Sequence, residues 1–215
     1  MIKDRQKMKS RRIIFAAIGV AVLIAAVSLY LTLSAGSPVK PSSTYAEINK
    51  SLKQDLELHG LLMSSPIHFR DEGSISKYCQ LFADQRQQDL VEYCTSTEVK
   101  DKEGEFLGNI HMVGSSDMPQ LILVLFQTDG QMSQIETVKT MFDTAIVTTV
   151  CACWADLMPD GMASTSDWID GLKQFHQSDE KPHSKSKQIR LEQKTLQLEL
   201  TSNENGYLWQ LYIYA

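Results

Sequence analysis

The sequence lacks the features that mark several large classes of protein. Four cysteines in 215 residues are too few for a small fold built on a disulfide framework. An apolar fraction of 43% is too high for a disordered chain, and the composition is not that of collagen. These absences leave a globular fold as the expectation for most of the chain.

Catalytic signatures are missing as well. The chain has no Gly-x-Ser-x-Gly elbow, no phosphate-binding glycine loop and no Gly-x-Gly-x-x-Gly dinucleotide motif. No two of its histidines have the i, i+4 spacing that holds zinc on a helix. We therefore expect no cofactor and no metal, and we favour a non-enzymatic function over an enzymatic one.

Positive charge is scarce outside the first dozen residues. Residues 1–12 carry six bases and one acid, a net charge of +5, and residues 13–36 carry none. Since the whole chain has a net charge of −5, the remainder carries −10. So acidic a main body argues against nucleic acid as a partner.

One long apolar run follows the basic tail. Residues 13–33 contain no charged side chain, and at about 1.5 Å per residue a helix of this length spans a bilayer core. Basic residues flanking such a helix stay in the cytoplasm. The pattern predicts a cytoplasmic tail at 1–12, a transmembrane helix at 13–33 that contacts the bilayer, and an external C-terminal part.

A secretory signal peptide is the alternative interpretation of the same run. The triplet Ser34-Ala35-Gly36 would permit cleavage after Gly36, which would release a secreted protein. A signal peptide has an apolar core of only about 7–15 residues, so the length favours an uncleaved anchor. The expected location is therefore the cell membrane, with a single pass.

A stalk and one domain are expected beyond the anchor. Residues 34–43 are rich in Ser and Pro and predict an extended stalk. Thr44 and Glu47 have the spacing of a capping box, and apolar residues at three- and four-residue intervals behind them predict an amphipathic helix ending near Ser64. The domain is expected to occupy residues 44–215.

Short strands, and two hairpins, are indicated along the domain. Asp129-Gly130 and Asn205-Gly206 are typical hairpin turns. The polar segment 83–89 could equally begin a helix that runs to Tyr93. The predicted strands are residues 78–82, 90–94, 106–113, 121–127, 132–138, 189–200 and 207–214.

Two helices are expected between these groups of strands. Residues 142–157 are apolar on several sides, a pattern that fits either a strand or a buried helix. Sixteen residues are longer than a typical strand, so the length favours the helix. A shorter amphipathic helix starts at residues 164–167 and is followed by a hydrophilic loop at 178–187. The combination predicts an α+β fold, an antiparallel sheet packed against helices.

All four cysteines fall in the part expected outside the cytoplasm, where thiols are usually oxidised. Cys79 and Cys94 are the pair expected to form a disulfide, if their flanking segments are neighbouring strands. Cys151 and Cys153 would point about 200° apart on a helix and could not bond to each other there. They are expected to be buried thiols or, as an alternative, a redox pair.

Two hypotheses of function come from these features. The leading one is a membrane-anchored protein whose external domain is a non-catalytic binding or envelope-assembly module with a protein partner in the cell envelope. The rival is an extracytoplasmic thiol–disulfide exchange enzyme that uses Cys151 and Cys153.

Overall fold

The computed structural model describes residues 43–179 and 182–215. The predicted tail, the transmembrane helix at 13–33 and nearly all of the predicted stalk lie outside the described residues. Residues Ser42–Ala215 form one compact unit. Among the helices of the two described ranges, none is both long and apolar enough to cross a bilayer.

Six helices and nine strands make up the described part, together with a 3-10 turn at Pro159–Gly161. The helices are α1 Tyr45–Glu57, α2 Glu72–Tyr78, α3 Gln85–Gln88, α4 Ile135–Thr149, α5 Trp154–Leu157 and α6 Thr165–Asp179. The strands are β1 Leu62–Met63, β2 Ile67–Phe69, β3 Tyr93–Lys100, β4 Phe106–Gly114, β5 Pro119–Thr128, β6 His183–Lys185, β7 Ile189–Leu191, β8 Lys194–Asn203 and β9 Gly206–Tyr214.

The strands form one antiparallel sheet in the order β1-β3-β4-β5-β9-β8-β6, with β2 beside β3 and β7 beside β8. The last strand, β9, pairs with β5 over eight residues and with β8 over nine, so it lies in the middle of the sheet. The prediction of an α+β fold with an antiparallel sheet packed against helices is confirmed.

The hydrophobic core lies between one face of this sheet and helices α1, α4 and α6. Alternate residues of β9 point into it, and Trp209, Leu211 and Ile213 are each at most 2% exposed. Phe126 of β5 and Phe142 of α4 are fully buried in the same cluster. The period of two along β9 therefore divides its side chains between a core face and a second face.

The start of α1 agrees with its predicted capping box. The Glu47 carboxylate accepts a hydrogen bond from the Thr44 backbone N–H at 2.8 Å, and the Thr44 hydroxyl accepts from the Glu47 backbone N–H at 3.4 Å. The helix ends at Glu57, earlier than expected, because the chain turns at Gly60, whose φ is +76°. Glycine adopts this left-handed conformation without steric cost.

The strand predicted at residues 78–82 is wrong. α2 ends at Tyr78, and the backbone after it is held by a side chain instead of a neighbouring strand. The Gln88 carbonyl oxygen accepts from the backbone N–H groups of Leu81 and Phe82, at 3.1 and 3.2 Å, and its amide nitrogen donates to the Cys79 carbonyl. The polar segment does begin a helix, α3, but that helix ends at Gln88, and the next strand starts only at Tyr93.

The strand predicted at residues 132–138 is also wrong, as is the hairpin at Asp129-Gly130. The Asp129 carboxylate accepts from the backbone N–H groups of Gln131 and Ser133, at 3.0 and 2.9 Å. Such a turn redirects the chain into α4, which begins at Ile135. An Asp-Gly pair therefore favours a turn, and the segment beyond it decides whether a strand or a helix follows.

In the last part of the chain, the single strand predicted at residues 189–200 is wrong, because the segment folds into two strands, β7 and β8, joined by a two-residue turn. Other predictions for this part agree with the structure. α6 begins where expected, with the Asp167 carboxylate accepting from the Ser164 backbone N–H at 2.9 Å. The closing hairpin is confirmed, since β8 and β9 pair up to Asn203 and Gly206. Its two turn residues are Glu204 and Asn205, one position earlier than the predicted Asn205-Gly206. The hydrophilic loop expected at 178–187 contains the short edge strand β6.

Candidate functional site

α4 ends abruptly in front of the Cys-Ala-Cys sequence. Its last residue is Thr149, and the backbone N–H groups of Val150 and Cys151 both donate to the Ile146 carbonyl, at 2.8 and 3.2 Å. A short helix, α5, resumes at Trp154. The prediction of one helix over residues 142–157 is thus right as far as Thr149 and wrong at residues 150–153, which separate two helices.

The break in the helix is what permits a disulfide between Cys151 and Cys153. Their Cα atoms are 5.1 Å apart and the two sulfurs are bonded. On a continuous helix the two side chains would diverge by about 200°. The expectation that these cysteines lie on a helix and do not pair with each other is wrong, because the chain leaves the helix at this point.

The second disulfide has a different environment. Cys79 and Cys94 are bonded with Cα atoms 6.1 Å apart, and they are 0% and 2% exposed. Val91 and Val113 pack against them in a small cluster of their own. This bond holds the end of α2 on the second face of the sheet, whereas Cys151 and Cys153 are only half-buried.

A cleft of about 220 Å³ opens beside Cys151. α4 contributes Asp143 and Val147 to its wall, the loop after α4 contributes Cys151, α5 contributes Trp154, and the start of α6 contributes Thr165. The Thr165 hydroxyl donates to the Asp143 carboxylate at 2.6 Å, and this bond joins α4 to α6. Because the Trp154 indole N–H donates to the Met162 carbonyl at 3.2 Å, the wall of the cleft is held in place.

Glu192 lies close to the cysteine pair. It lies in the two-residue turn between β7 and β8, and one of its carboxylate oxygens and the two sulfurs all lie within 4.8 Å of one another. Nothing in the spacing of the sequence indicated Glu192, since 39 positions separate it from Cys153. The contact arises because β7 packs against the 3-10 turn at Pro159–Gly161.

The second face of the sheet carries a strip of half-buried side chains on its central strands, which we call the open face. Cross-strand pairs place Tyr214 beside Leu121 and Tyr212 beside Leu123, and both leucines are at most 3% exposed. The tyrosine rings therefore shield the leucines from solvent. The open face consists of His111, Leu125, Leu208, Gln210, Tyr212 and Tyr214.

The open face carries little formal charge. Burial and the nearby Glu199 carboxylate raise the pKa of Tyr212 to about 12 and raise the pKa of Tyr214 as well, so both hydroxyls stay neutral at physiological pH. Glu199 lies on β8 opposite Gln210 of β9, and its carboxylate forms an ion pair with Lys185 at 2.6 Å. The face thus presents aromatic, aliphatic and neutral hydrogen-bonding groups.

A buried histidine connects α6 to the sheet through two hydrogen bonds. His176 is 3% exposed, and its two ring nitrogens hydrogen-bond to the hydroxyls of Ser184 and Ser202, both at 2.8 Å. Burial lowers its pKa, and the neighbouring His183 lowers it further. A neutral imidazole with both nitrogens occupied explains this residue as a structural link.

Comparison of the chain with protein-family models, with curated proteins and with solved structures finds no match.

Proposed function

We propose that the chain is a single-pass membrane protein whose external domain binds a partner protein through the open face. Residues 13–33 are the anchor, residues 1–12 lie in the cytoplasm, and the α+β domain lies outside. The observation that supports the binding role is the open face itself. Its half-buried Tyr, Leu and Gln side chains lie on the side of the sheet that helices α1, α4 and α6 do not cover.

The composition of the open face is that of a protein interface. Tyrosine is enriched at the centre of such interfaces, where charged residues are depleted. Tyr212 and Tyr214 stack with their ring centroids 6.0 Å apart, and the Gln210 amide donates to the Tyr212 hydroxyl at 3.0 Å. The side chains are thus held in position before binding, which lowers the entropic cost of ordering them.

The charge of the domain indicates the chemistry of the partner. The chain beyond residue 36 has a net charge of −10, and the acid beside the open face, Glu199, is already paired with Lys185. A partner with apolar side chains at its centre and basic residues around them complements this arrangement. Complementary charges of this kind speed association and disfavour acidic competitors.

A second candidate function, thiol–disulfide exchange, is favoured by the accessibility of Cys151 and Cys153 beside a cleft. The surroundings of the pair oppose it. A thiol becomes an effective nucleophile next to a cation or at the start of a substantial helix, whereas this pair has the Glu192 carboxylate beside it. A negative neighbour disfavours a second negative charge, so we rank exchange below binding.

The binding proposal is tested in cells that express the full chain with an affinity tag. Proteins are cross-linked in place, extracted in mild detergent and identified. A Leu208→Glu variant places a charge on the open face, and a Gln174→Glu variant places the same charge on an exposed turn of α6. We expect a specific partner protein to be cross-linked to the wild type and to Gln174→Glu, and to be lost from Leu208→Glu. Retention of that partner by both variants would overturn the proposal. So would a cross-linked product that contains only a second copy of the chain.

The anchor is tested separately by fractionation. An integral protein stays in the membrane pellet after alkaline extraction, and protease added outside the cell digests the domain while leaving residues 1–12 intact. A soluble external protein whose first residue is Ser37 would overturn the anchor and establish cleavage after Gly36. This outcome leaves the binding role of the open face to its own experiment.

A further inference from the structure

We propose that Cys151, Cys153 and Glu192 form a binding site for a thiophilic divalent cation of the zinc class when the disulfide between the two cysteines is reduced. The three donor atoms lie within 4.8 Å of one another. They come from two segments far apart in the chain, the end of α4 and the turn between β7 and β8.

The donor set and its spacing suit zinc. Tetrahedral zinc with bonds of about 2.0–2.3 Å holds its ligands about 3.3–3.8 Å apart. The two sulfurs, which are bonded to each other in the oxidised protein, therefore have to separate on reduction, and the Glu192 carboxylate has to lie at the same spacing from them. Two sulfurs and one carboxylate oxygen match zinc and are a poor set for calcium or magnesium, which prefer oxygen throughout. Three protein ligands leave the fourth position free for water or for a ligand from a partner.

The charge of the metal-bound site is also suited to a divalent cation. With the ion bound, two thiolates and a carboxylate supply three negative charges, and the ion offsets two of them. Within residues 43–179 and 182–215, Glu192 forms no ion pair that would occupy its carboxylate. The site therefore has a free anionic ligand placed beside two sulfurs.

The backbone around the site is held in conformations that are costly for residues other than glycine. Met158, Asp160 and Glu192 have φ values of +39°, +52° and +55°, and they belong to the two segments that meet here. Strain of this kind often accumulates at functional positions. It supports the site without defining which ligand the site binds.

The chemistry balances with an external dithiol as the reductant. The Cys151–Cys153 disulfide accepts two electrons and two protons from the dithiol, which itself becomes a disulfide. The two thiols formed here then release their two protons as the cation binds to the sulfurs. Reoxidation by an external disulfide, which accepts the two electrons of the thiolates and two protons from solvent and becomes two thiols, expels the cation. Occupancy of the site would therefore follow the redox state of this pair.

The test uses the full chain in detergent micelles, with Co²⁺ as a spectroscopic probe and Zn²⁺ as a competitor. The protein is treated with a low concentration of dithiol, freed of reductant without oxygen and titrated. We expect one Co²⁺ per chain, with the absorption of a tetrahedral thiolate complex, and displacement by Zn²⁺. The oxidised protein and a Cys151→Ser/Cys153→Ser variant should show no such absorption.

Glu192 is tested against a matched carboxylate. Glu204 is an exposed residue in the other two-residue turn, between β8 and β9. Loss of a residue that hydrogen-bonds to a zinc ligand lowers metal affinity by about 10- to 100-fold, and loss of a ligand itself should lower it at least as much. We therefore expect Glu192→Gln to raise the Kd for the metal at least tenfold. Glu204→Gln should leave that Kd unchanged. Absence of the thiolate absorption in the reduced wild type, or equal Kd values for the two Gln variants, would overturn the proposed site.

Discussion

Cys153 lies two residues after Cys151, and the disulfide between them occupies the point where α4 stops at Thr149. The bond requires the break, since neither sulfur could reach the other along a continuous helix. A short cross-link at the end of a core helix, half-exposed beside a cleft, is thus the most unusual covalent feature of the domain.

The two disulfides should differ in their response to reductant. Cys151–Cys153 is half-buried and Cys79–Cys94 is at most 2% exposed, and access governs the attack of a thiolate on a disulfide. Mild dithiol treatment of the folded protein should therefore release two thiols, both in the tryptic peptide that contains Cys151 and Cys153. Alkylation followed by mass spectrometry measures this; release from Cys79 and Cys94 first would contradict the difference in access.

Removal of the buried disulfide should be costly to stability. Cys79 and Cys94 close a loop of about 16 residues, for which loop-closure entropy corresponds to roughly 3 kcal/mol. A Cys79→Ala/Cys94→Ala variant should lose stability of this order in urea denaturation. The Cys151→Ser/Cys153→Ser variant is the control: it opens a much smaller ring and should lose distinctly less. Equal losses of unfolding free energy in the two variants would contradict the dependence of disulfide stabilisation on loop length.

Adjacent residues of β9 should respond very differently to truncation. Trp209 is fully buried in the core and its neighbour Leu208 lies on the open face. We expect Trp209→Ala to lower the free energy of unfolding by about 3–5 kcal/mol. Leu208→Ala should cost under about 1 kcal/mol, since it removes only a half-exposed side chain. Denaturant titrations of both variants give the comparison, and similar costs would mean that the two faces of β9 are equally buried.

Acidification should destabilise the domain through His176. Its pKa is lowered by folding from an ordinary value of 6.5, so the unfolded chain takes up a proton more readily than the folded one. The stability is fully present above pH 6.5 and is lost as the pH falls from 6.5 through the lower pKa of the folded state. Burial lowers the pKa of His111 in the same direction.

Two substitutions isolate this effect. His176→Gln should reduce the loss of stability between pH 6.5 and 5, measured by thermal unfolding in matched buffers, and His111 should account for a further part of it. His59→Gln changes an exposed histidine after α1 and should leave the pH dependence as it is in the wild type. A pH profile unchanged by His176→Gln would assign the effect to other groups.

The sequence predicted correctly those features that depend on interactions between residues close together in the chain. The capping box of Thr44 and Glu47 needs only a spacing of three residues, and the alternation along β9 needs only a period of two. The turn before Gly206 likewise depends on adjacent residues. These features were confirmed because tertiary contacts reinforce them.

Other features depend on contacts that no local pattern shows. The Gln88 side chain holds the backbone at Leu81 and Phe82, which looked like a strand because both residues are apolar. The disulfide between Cys151 and Cys153 depends on α4 ending at Thr149, whereas the apolar pattern continues to Leu157 and predicts a helix that excludes the bond. Only the folded chain brings a residue as distant as Glu192 to those sulfurs.

A scan of a photo-activated cross-linking residue along β9, in cells that express the full chain, tests the binding role of the open face most directly. If the open face binds a partner, positions 208, 210, 212 and 214 give an adduct with one partner protein, while Gln174 on α6 gives none. High salt added before illumination should weaken these adducts, because the partner is expected to be basic around its contact. Absence of adducts from the four open-face positions, or equal adducts from Gln174, would contradict the account.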